Sequence, residues 1–470
     1  MSVEKFENYI DKLSNFINSK NKLFVLSGSA GTGKTTLVND FSNWLEKNGF
    51  TPILLATTGR AAKILRDKTN RNTSTIHSEL YIFDKIDELS DNGEDAWTSE
   101  SGQLQLSFDL KAKAKNDKIV YIVDESSMIS HESLQKAHTA KFGSGNLLKD
   151  LYEFIGNNKL IFVGDECQLP PVSPSSFSPA LNIEFLNKHL LCEVDGLELI
   201  HIFRQQLDGG ILKSANFFRN SIKSSNYIKY PKILVDDSGD IIVHDNESSQ
   251  IKKYVNEILS NGFTNSVMIT NSNKKSQELN MIIKHHISSS YELKIGDILL
   301  VTQNSYLVNL SNGDQVELVE LGKFENRAGF KFIKSKVKTL HDGKIYETLL
   351  INDFIYSNSP SISPIDIKPI MIDFDQRMRN LGLKRNSNEY KNQMRKDKYL
   401  NALRVKFGYV LTCHKAQGGE WKNVYLNIQK SIYGYKSEYL YRWFYTALTR
   451  ASRKVHVNNG WWLIKTNTFY

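Results

Sequence analysis

Cysteine is scarce in this chain, with 3 residues in a sequence of 470. Cys167, Cys192 and Cys413 lie far apart, and no pair has the close spacing of a zinc-binding motif. So low a count excludes a disulfide-stapled scaffold. It favours a reducing compartment, for which we expect the cytoplasm.

Long apolar runs and a proline-rich composition are also missing. No stretch approaches the ~18 consecutive apolar residues of a membrane-spanning helix, and the opening residues MSVEKFENYIDK lack the apolar segment of a secretory signal. With 9 prolines, 24% charged residues and 40% hydrophobic residues, the composition is that of packed domains rather than of a disordered chain. We therefore expect no membrane partner, and the length predicts roughly two to four domains.

Negative charge is in deficit, since 60 Lys and Arg residues face 51 Asp and Glu residues and leave a net charge of +9. A basic surface suits a polyanionic partner such as nucleic acid. Many basic proteins bind no nucleic acid, so the charge alone does not identify the partner.

The most specific motif lies near the N-terminus, between a predicted buried strand at 22–26 and a predicted helix at 36–46. Residues 28–35 fit the pattern G-x-x-x-x-G-K-[ST]. In this pattern the glycines let backbone N–H groups face phosphates. Lys34 supplies a charge for the β- and γ-phosphates, and the Thr35 hydroxyl can bind Mg²⁺. The sequence therefore predicts binding of ATP with Mg²⁺. The predicted nucleotide-binding residues here are Gly28, Ser29, Ala30, Gly31, Thr32, Gly33, Lys34, Thr35 and Thr36.

Further buried strands, predicted at 52–56, 118–123 and 159–163, alternate with helices and indicate a parallel α/β sheet. The strand at 118–123 runs into Asp124 and Glu125. We expect Asp124 to hold Mg²⁺ opposite Thr35, and Glu125 to act as the general base for an attacking water. After the strand at 159–163 comes Gln168, whose amide can both donate and accept hydrogen bonds and so can sense a γ-phosphate.

Residues 84–117 interrupt this alternation with a polar, irregular stretch. Only residues 103–110 alternate between apolar and other side chains, which predicts an inserted β-hairpin. Trp97 in this segment could stack on a base or wedge a duplex, or it could pack over its own hairpin. The sequence leaves both interpretations open.

Further motifs follow the phosphate loop in a fixed order. They are TTGRAAK at 57–63, TIHS at 75–78, VDESSM at 123–128, GDECQLPPV at 164–172, LIHIFRQ at 199–205, VMITNSNKKSQELN at 267–280, YVLTCHKAQGGE at 409–420 and YTALTRA at 445–451. This order resembles superfamily-1 helicases of the RecD/Dda branch, which translocate 5′→3′ on single-stranded DNA. The resemblance covers almost the whole chain, and HKAQGGE together with YTALTRA is highly specific.

The resemblance implies roles for individual residues. Arg204 would reach back to the triphosphate, Arg450 would be an arginine finger from the second motor domain, and Glu420 would contact the ribose or the edge of the nucleotide. With these, the catalytic set is Lys34, Glu125, Gln168, Arg204 and Arg450. The implied nucleic-acid contacts are Thr58, Arg60 and His77 on the first motor domain and Thr412, His414 and Lys415 on the second, while Gln417 would contact DNA or couple it to the nucleotide.

Two family features are missing. Relatives carry a Gln shortly before the phosphate loop that reads the adenine edge, but residues 1–40 contain no Gln. Asn8, Asn15 or Asn18 could substitute, or the base could be held by stacking alone. The longer motif of the telomere-type 5′→3′ helicases is not evident either, so the Dda-like interpretation is favoured.

The resemblance and the patterning together predict the domain order. Residues 1–195 would form the first RecA-like motor domain with its hairpin at 84–117, and residues 196–296 would begin the second. Residues 297–402 would insert a small SH3-like β-barrel with a basic helical arm, and residues 403–470 would complete the second motor domain. The basic stretch at 373–406 is either a solvated helical face or, as we favour in a DNA motor, a surface that tracks phosphates.

We expect an ATP-dependent 5′→3′ DNA helicase that acts as a monomer on single-stranded DNA and on junctions of single- and double-stranded DNA. Single-strand-binding, replication or repair proteins are possible protein partners. Two alternatives stay open: a translocase that displaces proteins from DNA without useful unwinding, and an RNA-remodelling helicase.

Overall fold

The computed structural model describes residues 3–89, 96–97, 103–112, 118–132, 140–172, 177–200, 209–305, 307–308, 310–359 and 361–465. The strands, in chain order, are β1 (Leu23–Gly28), β2 (Thr51–Ala56), β3 (Thr73–Thr75), β4 (Tyr81–Leu89), β5 (Gln103–Leu110), β6 (Ile119–Asp124), β7 (Ala140–Phe142), β8 (Lys159–Gly164), β9 (Val194–Leu199), β10 (Ile233–Val235), β11 (Ile241–His244), β12 (Ser266–Thr270), β13 (Ile298–Val301), β14 (Gln315–Arg327), β15 (Phe330–Thr339), β16 (Ile345–Ile351), β17 (Val405–Phe407), β18 (Val410–Thr412), β19 (Trp421–Leu426), β20 (Ala451–Asn458) and β21 (Leu463–Lys465).

The helices, in chain order, are α1 (Val3–Asn18), α2 (Lys34–Lys47), α3 (Gly59–Thr69), α4 (Ile76–Leu80), α5 (Leu147–Phe154), α6 (Ile183–Leu190), α7 (Gly210–Lys223), α8 (Glu247–Asn261), α9 (Asn273–Ser288), α10 (Asn352–Tyr356), α11 (Pro364–Asn380), α12 (Asn388–Lys396), α13 (Cys413–Ala416) and α14 (Ser437–Leu448). Among the described residues, every helix is too short or too polar to cross a membrane.

The first lobe is built on a parallel sheet with the strand order β3-β2-β6-β8-β1-β9. Its strands are almost entirely buried because helices cover both faces, which explains their near-continuous apolar sequences. Parallel strands end at the same edge of a sheet, so β1, β6 and β8 deliver the phosphate loop, Asp124 and Asp165 to one place.

The second lobe repeats this architecture with a parallel sheet in the order β11-β20-β19-β12-β18. A short parallel pair, β10 and β21, lies beside it. Two parallel sheets with flanking helices confirm the predicted α/β class with two RecA-like motor domains.

An antiparallel sheet interrupts the second lobe, with the order β16-β15-β14-β13-β17. The sheet curls back on itself, because Leu403 forms a bridge with Leu350 of β16, the strand at its other edge. Strand β17 extends this sheet past residue 402, where the insertion was expected to end. Only Gly408 and Tyr409 separate β17 from β18 of the motor sheet, so the insertion ends within two residues of the strand that resumes the motor domain.

The hairpin of the first lobe pairs β4 with β5 in antiparallel register, and β7 adds a parallel strand to β5. Strand β4 begins at Tyr81, before the expected start of the insertion at residue 84. A continuous apolar core joins this hairpin to the helical arm of the insertion, with Leu104 and Phe108 on one side and Ile367, Phe374 and Tyr390 on the other. The hairpin and the arm therefore pack together although they belong to different lobes.

Candidate nucleotide and nucleic-acid site

The phosphate loop joins the end of β1 to the start of α2. Gly31 and Gly33 have φ angles of 80° and 83°, in the left-handed region that glycine tolerates best. The Thr32 hydroxyl donates to the Ser29 carbonyl at 2.9 Å, which tightens the loop. Ser29 and Thr32 are buried, Thr35 is half-buried, and Thr36 is exposed at the start of the helix.

Lys34 has its ammonium group folded onto this loop, where Nζ donates to the carbonyl oxygens of Gly28 at 2.7 Å and Ser29 at 2.8 Å. Burial lowers its pKa, although the nearby carboxylates of Asp165, Glu125 and Asp124 act in the opposite direction. Among the described residues, carbonyl groups and no carboxylate contact this cation directly, which fits a triphosphate, because phosphate oxygens accept from an ammonium group more strongly than neutral carbonyls do.

Asp124 and Glu125 stand at the end of β6. The Asp124 Oδ1 accepts from the Glu125 backbone N–H at 2.8 Å, and Glu125 has a φ of 54°, which is unusual for a residue other than glycine. Burial raises the pKa of both carboxyls, and Asp124 raises the pKa of Glu125 further. A carboxylate with a raised pKa is a stronger base, which suits Glu125 for proton abstraction from water.

Gln168 lies in the loop after β8 and is 3% exposed. Its side-chain Oε1 is buried and accepts no hydrogen bond from the described residues. Gln417 of the second lobe approaches the same loop, since its Nε2 donates to the Leu169 carbonyl at 2.9 Å. The amide of Gln168 is thus buried between the lobes, and its Oε1 has no hydrogen-bond donor within the described residues.

Arg450 follows α14 and is 4% exposed. Its guanidinium donates to carbonyl oxygens of Thr446 at 3.0 Å and Gly419 at 3.2 Å, and its charge lowers the pKa of Glu125. The second lobe therefore presents a buried arginine toward the carboxylate of the first lobe. Arg204 lies outside the described residues.

The adenine side of the site has few specific contacts. Asn8, Asn15 and Asn18 are all exposed on α1. Glu420 is exposed and lies 3.9 Å from Lys68 of the first lobe. A ribose contact by Glu420 stays a prediction.

Two of the residues expected on DNA have structural partners. Thr58 caps α3 by accepting from the Ala61 N–H at 3.2 Å. The Arg60 guanidinium donates to Gln315 of the insertion and lies 5.0 Å from the ring centroid of Trp421. Burial lowers the pKa of Arg60 to about 10. Both side chains are thus engaged within the protein, and Arg60 joins the first lobe to the insertion and to the second lobe.

Helix α3 carries further ion pairs to the insertion. Lys63 Nζ lies 2.7 Å from Asp314 Oδ2, and both side chains are at most 10% exposed. The other pairs are Arg66 with Asp342 at 3.5 Å and Asp67 with His341 at 2.5 Å. The barrel is inserted in the second lobe by sequence, yet these contacts tie it to the first.

His77 lines a cavity of about 570 Å³ that lies between the first lobe, the hairpin, the barrel and the arm. Its ring packs against Phe142 at 5.1 Å, and burial lowers its pKa to about 4, so the imidazole is neutral at pH 7. Its lining includes the aromatic rings of Tyr81, Phe108 and Phe142. It also includes Arg395, which donates to the Phe83 carbonyl at 3.3 Å, and Arg404, which donates to Gln303.

Thr412, His414 and Lys415 lie together at the end of β18 and the start of α13. Thr412 is buried, while His414 and Lys415 are half-buried. Burial lowers the pKa of His414 to about 4 and also lowers the pKa of Lys415. Lys415 faces a small pocket shared with Asn273 and Lys406. Contacts of these residues with nucleic acid stay predictions.

The basic arm is mostly engaged in ion pairs within the protein. Arg377 pairs with Asp373 at 2.9 Å, Arg379 pairs with Asp375 at 2.8 Å, and Lys391 reaches Asp84 of the hairpin at 3.0 Å. The Arg385 guanidinium pairs with Asp375 at 2.7 Å and lies 3.8 Å from the ring centroid of Trp97. Of the basic residues in this arm, Arg395 and Arg404 line the large cavity.

Trp97 itself is 6% exposed, and its Nε1 donates to Glu88 Oε1 at 2.6 Å. Of the two interpretations of Trp97, packing within the hairpin is therefore the one that the structure supports.

The fold thus gathers Lys34, Asp124, Glu125, Gln168 and Arg450 at the junction of the lobes, and it places His77 at a separate cavity. Sequence reasoning missed Arg219 on α7, which also reaches this junction. No motif carried Arg219, because it stands in an ordinary amphipathic helix whose buried face is visible only in the tertiary structure.

Comparison with known proteins agrees with this architecture. A family model described as an AAA domain matches residues 14–174, and one described as a UvrD-like helicase C-terminal domain matches residues 407–457. Uncharacterized protein R530 of Acanthamoeba polyphaga mimivirus is 24% identical over 95% of this chain and 97% of its own length. Uncharacterized protein MJ1519 of Methanocaldococcus jannaschii is 23% identical over 97% of this chain, which spans only 38% of that protein.

Among solved structures, Bacteroides Pif1 bound to single-stranded DNA has a TM-score of 0.50 at 17% identity, and the match covers 99% of this chain and 94% of that one. Pif1 helicases described at forked double-stranded DNA match with a TM-score of 0.50 at 15% identity over 99% and 94% of the two chains. At such identity the likeness concerns the fold. The two family models and this fold agree with the resemblance to superfamily-1 helicases of the RecD/Dda branch that the motifs carry.

Proposed function

We propose that this chain is an ATP-dependent DNA helicase that translocates 5′→3′ along single-stranded DNA and unwinds duplex ahead of it. The observation that carries the proposal is the division of the hydrolytic site between two lobes. Lys34, Asp124, Glu125 and Gln168 come from the first lobe, and Arg450 comes from the second. Hydrolysis at such a site depends on how closely the lobes approach, so ATP turnover can drive their movement.

The residues at this junction supply the chemistry of phosphoryl transfer. Backbone N–H groups of the phosphate loop and the Lys34 ammonium would hold the β- and γ-phosphates, and Glu125 would take a proton from the attacking water. Gln168 would orient that water or the γ-phosphate with its amide oxygen, which accepts no hydrogen bond within the described part of the chain. Arg450 would neutralise charge that develops on the transferred group. Thr35 and Asp124 would hold Mg²⁺, which would screen the charge of the β- and γ-phosphates.

The large cavity is the proposed path of the single strand. Its aromatic rings offer surfaces on which bases can stack, and Arg395 and Arg404 offer positive charge for phosphates, so the strand can be held without reading its sequence. Because this cavity is walled by both the first lobe and the insertion, lobe movement would change its shape. The Bacteroides Pif1 structure of similar fold is described as bound to single-stranded DNA, which supports this assignment.

The proposed working form is a monomer in the cytoplasm, with single-strand-binding, replication or repair proteins as possible partners. A single polypeptide contains both lobes of the hydrolytic site, so the reaction does not require a second copy to complete it.

The deciding experiment measures ATP-dependent unwinding of matched duplexes that carry either a 5′ or a 3′ single-stranded tail. Opening of only the 5′-tailed duplex is the expected result. Opening of only the 3′-tailed duplex would contradict the proposed polarity. ATP hydrolysis stimulated by DNA without unwinding of either duplex would favour a protein-displacing translocase, and equal stimulation by RNA would favour an RNA remodeller.

A further inference from the structure

The loop that carries Gln168 is held by the second lobe along its whole length. We call residues 165–169 the sensor loop; it belongs to the first lobe and follows β8. Helix α14 and Gln417 form hydrogen bonds with both side chains and backbone groups of the sensor loop. The contacts are Tyr445 OH donating to Asp165 Oδ2 at 2.5 Å, Arg442 Nη1 donating to the Glu166 carbonyl and to the Gln168 carbonyl at 3.3 Å, Leu169 N–H donating to Thr446 Oγ1 at 2.9 Å, and Gln417 Nε2 donating to the Leu169 carbonyl at 2.9 Å.

Arg219 of α7 pairs with Asp165 at this junction. Among the residues that the structure describes, this is the one guanidinium–carboxylate pair of the junction in which both charges are buried. Its Nη1 lies 2.7 Å from Asp165 Oδ1 and 3.2 Å from the Tyr445 hydroxyl, and its Nη2 lies 3.0 Å from Glu198 Oε1. Arg219 is 8% exposed and Asp165 is 1% exposed. Burial would raise the pKa of Asp165, but Arg219, Lys34 and the Tyr445 hydroxyl outweigh that effect and lower it. Asp165 is therefore a carboxylate whose charge depends on a cation from the other lobe.

The position of this pair links it to the reaction. The Asp165 charge raises the pKa of Lys34 more than the charges of Glu125 and Asp124 do. The Arg219 charge lowers that pKa. Three residues after Asp165, the same loop presents Gln168. On the other side, α7 packs against α14 through stacked rings of Phe218 and Phe444 at 5.1 Å, and α14 leads directly into Arg450. Arg219 thus connects the phosphate-sensing loop to the helix that positions the arginine finger.

We propose that Arg219 is a positioning residue that couples the sensor loop to the second lobe, so that nucleic acid bound across the lobes accelerates ATP hydrolysis through the Arg219–Asp165 contact. This inference rests on the proposed nucleic-acid-stimulated hydrolysis of ATP. A guanidinium suits the task, because its two terminal nitrogens reach Asp165 and Glu198 at the same time.

The test compares Arg219→Gln with Lys223→Gln in the full-length protein. Lys223 lies one helical turn further along α7, pairs with Glu198 and lies 3.7 Å from the half-buried Glu166 carboxylate of the sensor loop, but it is 37% exposed and does not contact the buried Asp165. We measure ATP hydrolysis without DNA and with saturating single-stranded DNA, and we measure the affinity for a fluorescent ATP analogue. Arg219→Gln should reduce the ratio of stimulated to basal kcat at least tenfold, with less than threefold change in basal kcat and nucleotide affinity, while Lys223→Gln should leave all three within twofold.

Two further variants separate coupling from a merely structural role. Arg219→Lys can pair with Asp165 but not with Asp165 and Glu198 together, so it should recover part of the stimulation. Tyr445→Phe removes only the hydroxyl that donates to Asp165, and it should lower the stimulation ratio about threefold. If Arg219→Gln does not fold, Arg219→Lys and Tyr445→Phe carry the test.

Full DNA stimulation in folded Arg219→Gln, or in both Arg219→Lys and Tyr445→Phe, would overturn the inference. A parallel loss of basal and stimulated rates would also overturn it, because it would mean damage to the hydrolytic site rather than to coupling. The proposed function fails in a different way, since the wild-type protein itself would then show no stimulation by nucleic acid.

Discussion

Gly418 of the second lobe lies directly against Glu125 of the first. A Cβ atom at Gly418 would stand 3.6 Å from Glu125 Cγ and 3.0 Å from Ala61 Cβ, and the φ of Gly418 is 74°. The motif HKAQGGE therefore contacts the proposed general base through a residue without a side chain, which allows the two backbones to approach closely.

Gly418→Ala should lower the kcat of ATP hydrolysis about tenfold, because the added methyl group would stand only 3.0 Å from Ala61 Cβ and would push the two lobes apart by a few tenths of an ångström beside Glu125. The matched control is Gly382→Ala, since Gly382 has the same φ of 74° and no atom within 4 Å of the added Cβ. Both variants should lose about 1–2 kcal/mol of stability from the left-handed backbone. Steady-state hydrolysis and chemical denaturation of both proteins check this, and equal kcat values in the two variants would contradict it.

Glu125→Gln should keep binding of ATP and DNA but reduce hydrolysis by about 10²–10⁴-fold, because an amide cannot accept the proton of water. The control is Glu184→Gln, which removes an exposed carboxylate from the first turn of α6. Nucleotide affinity, DNA affinity and single-turnover hydrolysis are measured on both. Substantial DNA-stimulated hydrolysis in Glu125→Gln would remove Glu125 from the role of base.

Arg385→Ala should weaken unwinding several-fold while leaving hydrolysis stimulated by single-stranded DNA nearly unchanged. The variant loses the cation that lies 3.8 Å from the Trp97 ring, so the hairpin is held less firmly by the arm, although the shared apolar core and the Lys391–Asp84 pair remain. Arg379→Ala is the control, because Arg379 pairs with the same Asp375 carboxylate but is 58% exposed. Stopped-flow unwinding and hydrolysis assays on the same preparations check the prediction. Equal unwinding by both variants would show that the Trp97 contact does not steady the hairpin against the duplex.

Acid should destabilise the second lobe through His456, which is 4% exposed, stacks on Tyr425 at 4.1 Å and lies 3.0 Å from a ring nitrogen of His244. Burial lowers its pKa to about 3, and the charges of His244, Lys454 and Lys253 add to the effect. The folded state thus binds fewer protons than the unfolded state, so this contribution is complete above about pH 6.5 and is lost as pH falls toward 3.

Between pH 8 and pH 5 the loss from His456 alone amounts to about 2 kcal/mol. Urea denaturation of the wild type and of His456→Gln at both pH values measures it, and the variant should lose about 2 kcal/mol less over that interval. His286→Gln on the exposed face of α9 is the control and should follow the wild type. An unchanged pH dependence in His456→Gln would refute the assignment.

Local sequence was sufficient for much of the hydrolytic site. The phosphate loop, Asp124 and Glu125 each follow a short apolar strand, and a parallel sheet necessarily brings such strand ends to one edge. Apolar patterning also predicted the strand at 103–110 and four strands of the first motor sheet, whereas the second motor sheet was expected only from the family resemblance.

The partners of charged side chains were decided only by the tertiary structure. Arg60 carries the same charge whether it faces a phosphate or stacks on Trp421. In the sequence, Arg377, Arg385 and Lys391 belong to one basic stretch, and only the tertiary structure shows their acidic partners. The pairing of Arg219 with Asp165 joins residues of two different lobes, and no spacing in the sequence encodes that contact. Sequence by itself determined which elements form and which chemistry stands at their ends, because these follow from short-range patterns. The packing of the lobes determined which cations pair with acidic groups of the protein, because that depends on contacts between residues far apart in the chain.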